Sequence, residues 1–274
     1  MIDHSGELAN ISTNADISIA GADWADSLWY GCDFKTKNLI TIDTLTGKVH
    51  MIGRMDLQTP TGLAYDITSG IMYVCDYNGQ GTHLYEVDLV DAYVKKVGEI
   101  LYNGCIIAMA CDSGGNLYGI ETDSDSLFLI DKSTGKVTSL GHLGIDIDYI
   151  QDIAFDRNNN ILYGVLYLDD ESDSESKFSL SFSSSKSWKA GLYNIDVSTG
   201  QANLISNFTG EISGFAIPYK KEQKHVLNAR FTSTSQSGET PLTVQFFDHS
   251  LGNIMNRSWD LDGDGKTDDI AQNP

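Results

Sequence analysis

The chain has 274 residues, and its 38 acidic against 18 basic side chains give a formal net charge of −20 at pH 7. That surplus repels phosphate backbones and anionic lipid surfaces, which disfavours nucleic-acid binding. No run approaches the roughly 18 apolar residues of a membrane span, and residues 1–20 lack the basic start and apolar stretch of a signal peptide, so no membrane insertion is expected of this segment.

In chain order, the first readable element is Ser5-Gly6-Glu7-Leu8 running to Ser12, which has the pattern of Thr134 to Val137 and reads as a fourth strand without its first three. Four repeats follow. Asp23, Asp66, Asp112 and Asp156 each precede, by six or seven residues, Tyr30, Tyr73, Tyr118 and Tyr163, and the aspartates are read as entering the first turn of each repeat. Asp43, Asp88, Asp131 and Asp196 end third strands. Three of these four open an Asp-x-x-Thr-Gly turn, in which Gly47, Gly135 and Gly200 supply the left-handed backbone. The clearest copy spans residues 107–141, with strands predicted at 107–111, 117–120, 127–130 and 136–140. Four short strands rich in Ile, Leu, Val and Tyr within about 40 residues make one propeller blade, so the class is all-β.

First-strand copies occur five times, near Ile19, Leu63, Met109, Ile153 and Phe215, whereas complete blades occur four times. The expectation is a five-bladed β-propeller over residues 1–219 whose closing blade is incomplete. Residues 5–12 and 212–218 would share that blade, and its second and third strands would lie upstream of the sequence.

With its Leu-Tyr-x-Ile-Asp-x-x-Thr-Gly and Gly-Leu-Ala-Tyr-Asp phrases, the repeat resembles the propeller repeats of secreted bacterial and archaeal surface proteins. The resemblance implies a secreted or cell-surface location and a protein or carbohydrate partner at the cell surface or in the extracellular matrix. Such propellers serve adhesins, sugar-processing enzymes and plain scaffolds alike. Residues 220–225 form a charged linker. From Val226 on, Ala229-Arg-Phe231, Gly238-Glu-Thr-Pro241-Leu-Thr-Val-Gln-Phe246, Asp248-His-Ser250 and Trp259-Asp-Leu-Asp-Gly-Asp-Gly265 resemble a polycystic kidney disease (PKD) domain. That family implies an immunoglobulin-like β-sandwich over residues 226–274, here partial, acting as spacer or binding module.

Three constellations could carry chemistry. In Asp260-Leu-Asp262-Gly-Asp264-Gly265-Lys266-Thr-Asp268, alternate carboxylates with a glycine at the sixth place are spaced to wrap Ca2+, with Lys266 offering its backbone carbonyl. The twelfth place is Ala271 where a bidentate Glu would stand, so binding should be weak and structural. Second, Asp33, Asp76 and Glu121 end the second strands of three successive repeats, and an acidic ring there could hold a metal or a polar ligand. Third, the acidic, serine-rich insert between Leu168 and Lys189 lengthens the equivalent loop of the fourth repeat.

The six histidines form no HxH or HExxH pair, and neither a Gly-x-Ser-x-Gly elbow nor a glycine-rich phosphate cradle occurs. Among the four cysteines, Cys32 and Cys75 read as buried thiols, and Cys105 with Cys111 is the one pair close enough in sequence to test for a bond. The leading expectation is a binding or adhesion module with a calcium-stiffened spacer. The rivals are a propeller-fold metal-dependent hydrolase or lactonase using the acidic face, and a pure scaffold.

Overall fold

A computed structural model describes residues 16–98, 104–148, 151–168, 190–208, 212–219, 231–234, 237–248, 250 and 256–274, and among these no helix occurs. The chain divides into two compact units, residues 1–219 and 220–274.

The first unit is a β-propeller built from four four-stranded antiparallel sheets, each a simple meander in chain order. Blade 1 comprises β1 (Ile19–Ala25), β2 (Leu28–Asp33), β3 (Asn38–Ile42) and β4 (Val49–Arg54). Blade 2 comprises β5 (Pro60–Asp66), β6 (Ile71–Tyr77), β7 (Thr82–Val87) and β8 (Val94–Val97). Blade 3 is β9 (Ile106–Cys111), β10 (Leu117–Glu121), β11 (Ser126–Ile130) and β12 (Val137–His142), and blade 4 is β13 (Asp152–Asp156), β14 (Ile161–Tyr167), β15 (Ala190–Ile195) and β16 (Ala202–Phe208). Of the expected fifth blade, the described residues include only 212–219, in which no strand is formed. Residues 5–12 lie outside the described residues.

Blades stack through alternating faces. Tyr30 and Cys32 of blade 1 meet Leu63, Tyr65, Met72 and Val74 of blade 2. Tyr73 and Cys75 then meet Met109, Cys111 and Leu117, while Tyr118 and Ile120 meet Ile153, Phe155 and Leu162. The repeat tyrosines Tyr30, Tyr73 and Tyr118 thus each enter one inter-blade layer, the Tyr118 and Phe155 rings lying 5.3 Å apart. All four cysteines are free and buried, so Cys105 and Cys111 are not bonded to each other.

The centre is tight because the inner strands touch backbone to backbone. A Cβ on Gly21 would stand 2.8 Å from Gly62 Cα, and one on Gly62 would stand 2.9 Å from the Met109 nitrogen. Gly53, Gly98 and Gly141, each at or just past the end of a fourth strand, similarly lie against backbone at Asp91, Thr134 and Thr199, in the third-to-fourth-strand turn of the following blade.

The tyrosine register is correct: Tyr30, Tyr73, Tyr118 and Tyr163 pair with Asp23, Ala64, Ala110 and Ala154, one equivalent place in four blades. The aspartate register is not. Blade 1 makes a two-residue turn at Asp26 and Ser27, both with positive φ (45° and 71°), whereas Asp66 ends β5 before a four-residue turn. Asp23 therefore stands where the other blades carry Ala, within the inner strand rather than at a turn.

In the second unit, β17 (Phe231–Ser233) pairs antiparallel with β18 (Phe246–Asp248), and Trp259 bridges to Asp269. The rings of Phe231, Phe246 and Trp259 lie 5.6 to 5.9 Å apart in a small aromatic cluster. A second sheet, which a sandwich requires, does not occur among the described residues.

Candidate functional site

The two ends of the propeller differ. At the end carrying the first-to-second-strand turns, the misplaced Asp23 is answered by Arg157, which follows β13. The Arg157 Nη2 donates to Asp23 Oδ2 at 2.5 Å and Nη1 donates to Oδ1 at 3.1 Å, a bidentate pair in which both side chains are almost fully buried. The same guanidinium donates to the carbonyls of Tyr65 (2.8 Å) and Cys111 (3.2 Å), and it lies 5.0 Å from the Tyr219 ring centroid. Asp23 in turn accepts the amides of Trp24 and Tyr65. One side chain from blade 4 thereby reaches blades 1, 2 and 3 and the last residue of the unit, and it stoppers the axis at this end.

Deeper in the ring, Asp152 occupies the place held by Gly21, Gly62 and Ala108 in the other inner strands. Its carboxylate accepts the amides of Ala22 (3.0 Å), Phe215 (2.7 Å) and Ile153 (2.9 Å). Blade 4 is thus tied to blade 1 and to the segment 212–219. Burial pushes the Asp152 pKa well above the ordinary carboxylate range, and the amide donors act against that shift.

At the opposite end lie the second-to-third-strand loops. Asp33, Asp76 and Glu121 are at the strand ends expected of them, but they are buried beneath the loops, at 2%, 4% and 0% exposure. Asp33 accepts from Ser18 N and Lys35 N (both 3.1 Å) and from Thr36 Oγ1 (2.5 Å). Asp76 accepts from Thr59 N, and Glu121 from Asp123 N, Ser124 N and Ser124 Oγ. Asp33 and Glu121 pin the second-to-third-strand loops of their own blades, Asp76 holds the link that enters β5, and the three do not form a group with ligand atoms within 4.8 Å of one another. Above these pins Lys35, Gln80, Asp123 and Ser124 face solvent. The insert within 169–189, expected to lengthen the equivalent loop of the fourth repeat, lies outside the described residues.

The residues at this end that do meet were not singled out by sequence. Asp125, His142 and Asp146 bring one ligand atom each to within 4.8 Å, Asp125 being buried and the others exposed. His142 Nδ1 accepts the Gly144 amide at 2.8 Å, which puts the imidazole proton on Nε2 and makes that nitrogen a donor. Asp125 Oδ1 already accepts the Ile147 amide. No spacing rule joins positions 125, 142 and 146, because β12 returns His142 beside the start of β11 only through the fold.

In the second unit, Asp260, Asp262 and Asp268 come within 4.8 Å of one another. Asp260 accepts Gly263 N and Gly265 N, Asp262 accepts Asp264 N, and Asp268 accepts Leu261 N. Gly263 and Gly265 have φ of 78° and 83°, values that an L side chain rarely adopts, so the loop's curl depends on both glycines. Asp264 is turned instead to Lys266, whose Nζ lies 2.6 Å from its Oδ2 and helps hold the carboxyl below its ordinary range.

No protein-family profile and no curated protein matches the chain. Among solved structures it is similar to hydrazine synthase of Kuenenia stuttgartiensis, at 13% identity with a TM-score of 0.43, over 75% of this chain and 53% of that one. It is also similar to the PQQ-bound aldose sugar dehydrogenase of Streptomyces coelicolor, at 11% identity and TM-score 0.47, over 77% and 87% of the two chains. Virginiamycin B lyase of Staphylococcus aureus gives 13%, 0.42 and 76% of each chain. The propeller fold itself rests on the sheet order.

Proposed function

We propose that the chain is an extracellular or cell-surface binding module. It presents the loop end of the propeller to a protein or carbohydrate partner and carries a calcium-binding, PKD-like spacer in its second unit. The observation that carries this reading is the contrast between the two ends: one is stoppered by Arg157 and Asp23, and the other holds short loops stiff on buried carboxylates beneath exposed polar side chains. Loops fixed on a rigid scaffold lose little entropy on binding. The hydrolase reading would need carboxylates that converge on a ligand, and Asp33, Asp76 and Glu121 are instead taken up by nearby backbone amides and hydroxyls. Probing immobilised glycans and matrix proteins with the whole chain, then with Lys35→Glu plus Gln80→Ala, tests the proposal. The double variant is expected to melt as the parent does and to bind at least about tenfold more weakly, the loss of one good contact. Full binding by that variant would remove the loop end from the interaction.

The second unit's oxygen-only donor set suits a hard cation. Asp260, Asp262 and Asp268 would supply carboxylates and Lys266 its carbonyl, with Asp264 joining once the Lys266 ammonium leaves it. With no bidentate residue at the twelfth place, the expected dissociation constant is on the order of 10⁻⁴–10⁻³ M, so the site fills outside cells. Calorimetric titration of calcium should give heat in the millimolar range that Asp262→Ala plus Asp264→Ala abolishes. Lys266→Ala should tighten binding severalfold. Heat that survives the double substitution refutes the site.

A further inference from the structure

At the loop end, blade 3 departs from the repeat in a way that gathers ligating groups. Asp125 and His142 stand where blade 1 has Lys37 and Arg54, since Ser126 pairs with His142 as Asn38 pairs with Arg54. The backbone at the two places is the same. Asp125 and Lys37 both have positive φ, 47° and 63°, and their carbonyls accept the amides of Leu143 and Met55. A lysine serves this frame as well as an acid does, so the frame alone does not call for the carboxylate. What blade 3 adds is convergence, because Asp125, His142 and Asp146 each bring a ligand atom to within 4.8 Å of the other two. The link that carries His142 and Asp146 is clamped at two points. Leu143 O accepts from Ala202 N (2.8 Å) and Gln201 Nε2 (3.0 Å), and Ile147 N donates to Asp125 Oδ1 (3.0 Å).

An independent observation comes from Thr122. It opens the four-residue turn that Asp125 closes, one step beyond the Glu121–Ser126 pair, so the two residues face each other across the hairpin. Four residues after the repeat tyrosine, blades 1, 2 and 4 carry Phe34, Tyr77 and Tyr167 where blade 3 has this hydroxyl. The Thr122 side chain is buried, and its Oγ1 is the one buried side-chain polar atom without a hydrogen-bond partner among the described residues. Burying a hydroxyl unbonded is costly, and a bound group that brings it a partner removes the cost.

We propose that Asp125, His142 and Asp146 bind a divalent transition ion, Zn2+ by preference, and that a water on the ion bonds to Thr122 Oγ1. One imidazole with two carboxylates is a donor set for such an ion, whereas the oxygen-only loop of the second unit suits calcium. His142 coordinates through Nδ1, the nitrogen whose lone pair receives the Gly144 amide, and that exposed amide turns to water. Asp125 keeps the Ile147 amide on Oδ1, while the exposed His142 and Asp146 side chains swing in to bonds of about 2.0–2.2 Å. Three protein ligands leave the fourth position of a tetrahedron to the water.

The test titrates zinc chloride into the whole chain carrying Asp262→Ala plus Asp264→Ala, so that the second unit contributes nothing. His142→Ala and Asp146→Asn are each expected to weaken zinc binding by at least the roughly 10–100-fold that loss of an outer partner of a metal ligand costs. Both positions are exposed, so both variants should melt as the parent does without zinc. Thr122→Val should weaken zinc binding severalfold yet melt at or above the parent without zinc, because it deletes an unsatisfied hydroxyl at nearly constant shape. In nuclear magnetic resonance, zinc should move the His142 ring nitrogens and speed exchange of the Gly144 amide. Zinc binding unchanged by both His142→Ala and Asp146→Asn would overturn the site. So would a Gly144 amide that stays protected in saturating zinc, or displacement of zinc by an equal concentration of calcium.

Discussion

Replacing Arg157 by Met is expected to lower stability by about 3–5 kcal/mol, the range found when one partner of a buried ion pair is removed. The cost arises at Asp23, a side chain at 2% exposure that would be left with the Trp24 and Tyr65 amides in place of the guanidinium. The carbonyls of Tyr65 and Cys111 would lose a charged donor at the same time. The sharper part of the expectation concerns the double variant Asp23→Ala plus Arg157→Met. Alanine is what blades 2, 3 and 4 carry at this place, as Ala64, Ala110 and Ala154, so the inner strand packs well around it. Removing both charges should therefore recover much of the loss, leaving the double variant more stable than Arg157→Met alone. Chemical denaturation of the parent, both single variants and the double variant gives the coupling directly. A double variant as unstable as the sum of the singles would mean that Arg157 acts through its bonds to the other blades and not through Asp23.

The blades were legible in the sequence because their periodic residues do a local job. Tyr30, Tyr73, Tyr118 and Tyr163 recur at one place of the meander, from which the first three each enter an inter-blade layer, and the Asp-x-x-Thr-Gly turns recur where a hairpin needs one left-handed glycine. The Asp33, Asp76 and Glu121 positions were legible too, but their role was not. A carboxylate at a strand end looks the same in sequence whether it faces solvent or accepts loop amides, and only the depth of the side chain separates the two. Asp23 was misassigned for a related reason. A two-residue turn after Ala25 places it seven residues before Tyr30, the same count that a longer turn gives to Asp66 before Tyr73. Arg157 and Asp152 left no trace in any motif, since each acts once, across the ring, on partners far away in sequence such as Asp23, 134 residues from Arg157, and Phe215, 63 residues from Asp152.

Asp152 is the other place where a single substitution should be costly. In β1 and β5 the equivalent residues are Gly21 and Gly62, and there the neighbouring inner strand comes close enough to leave no room for a side chain. At β13 the neighbour is the unpaired segment 212–219, and the carboxylate spans the space by accepting from Ala22, Phe215 and Ile153. Asp152→Ala leaves three buried or half-buried amides without an acceptor. At about 1–3 kcal/mol for each group left unsatisfied, the loss should exceed 3 kcal/mol and should fall on the closure between blades 4 and 1. Hydrogen exchange at Ala22 and Phe215 should rise before the cores of blades 2 and 3 open. The pH dependence carries a sign of its own. Because burial raises the folded-state pKa of Asp152, the parent should lose part of its stability as pH rises from the ordinary Asp range through the raised value, and the Ala variant should lack that part of the slope. Melting followed as pH is raised from the ordinary carboxylate range distinguishes the two. An Ala variant that keeps the parent's slope would show that the three amides hold Asp152 ionised throughout.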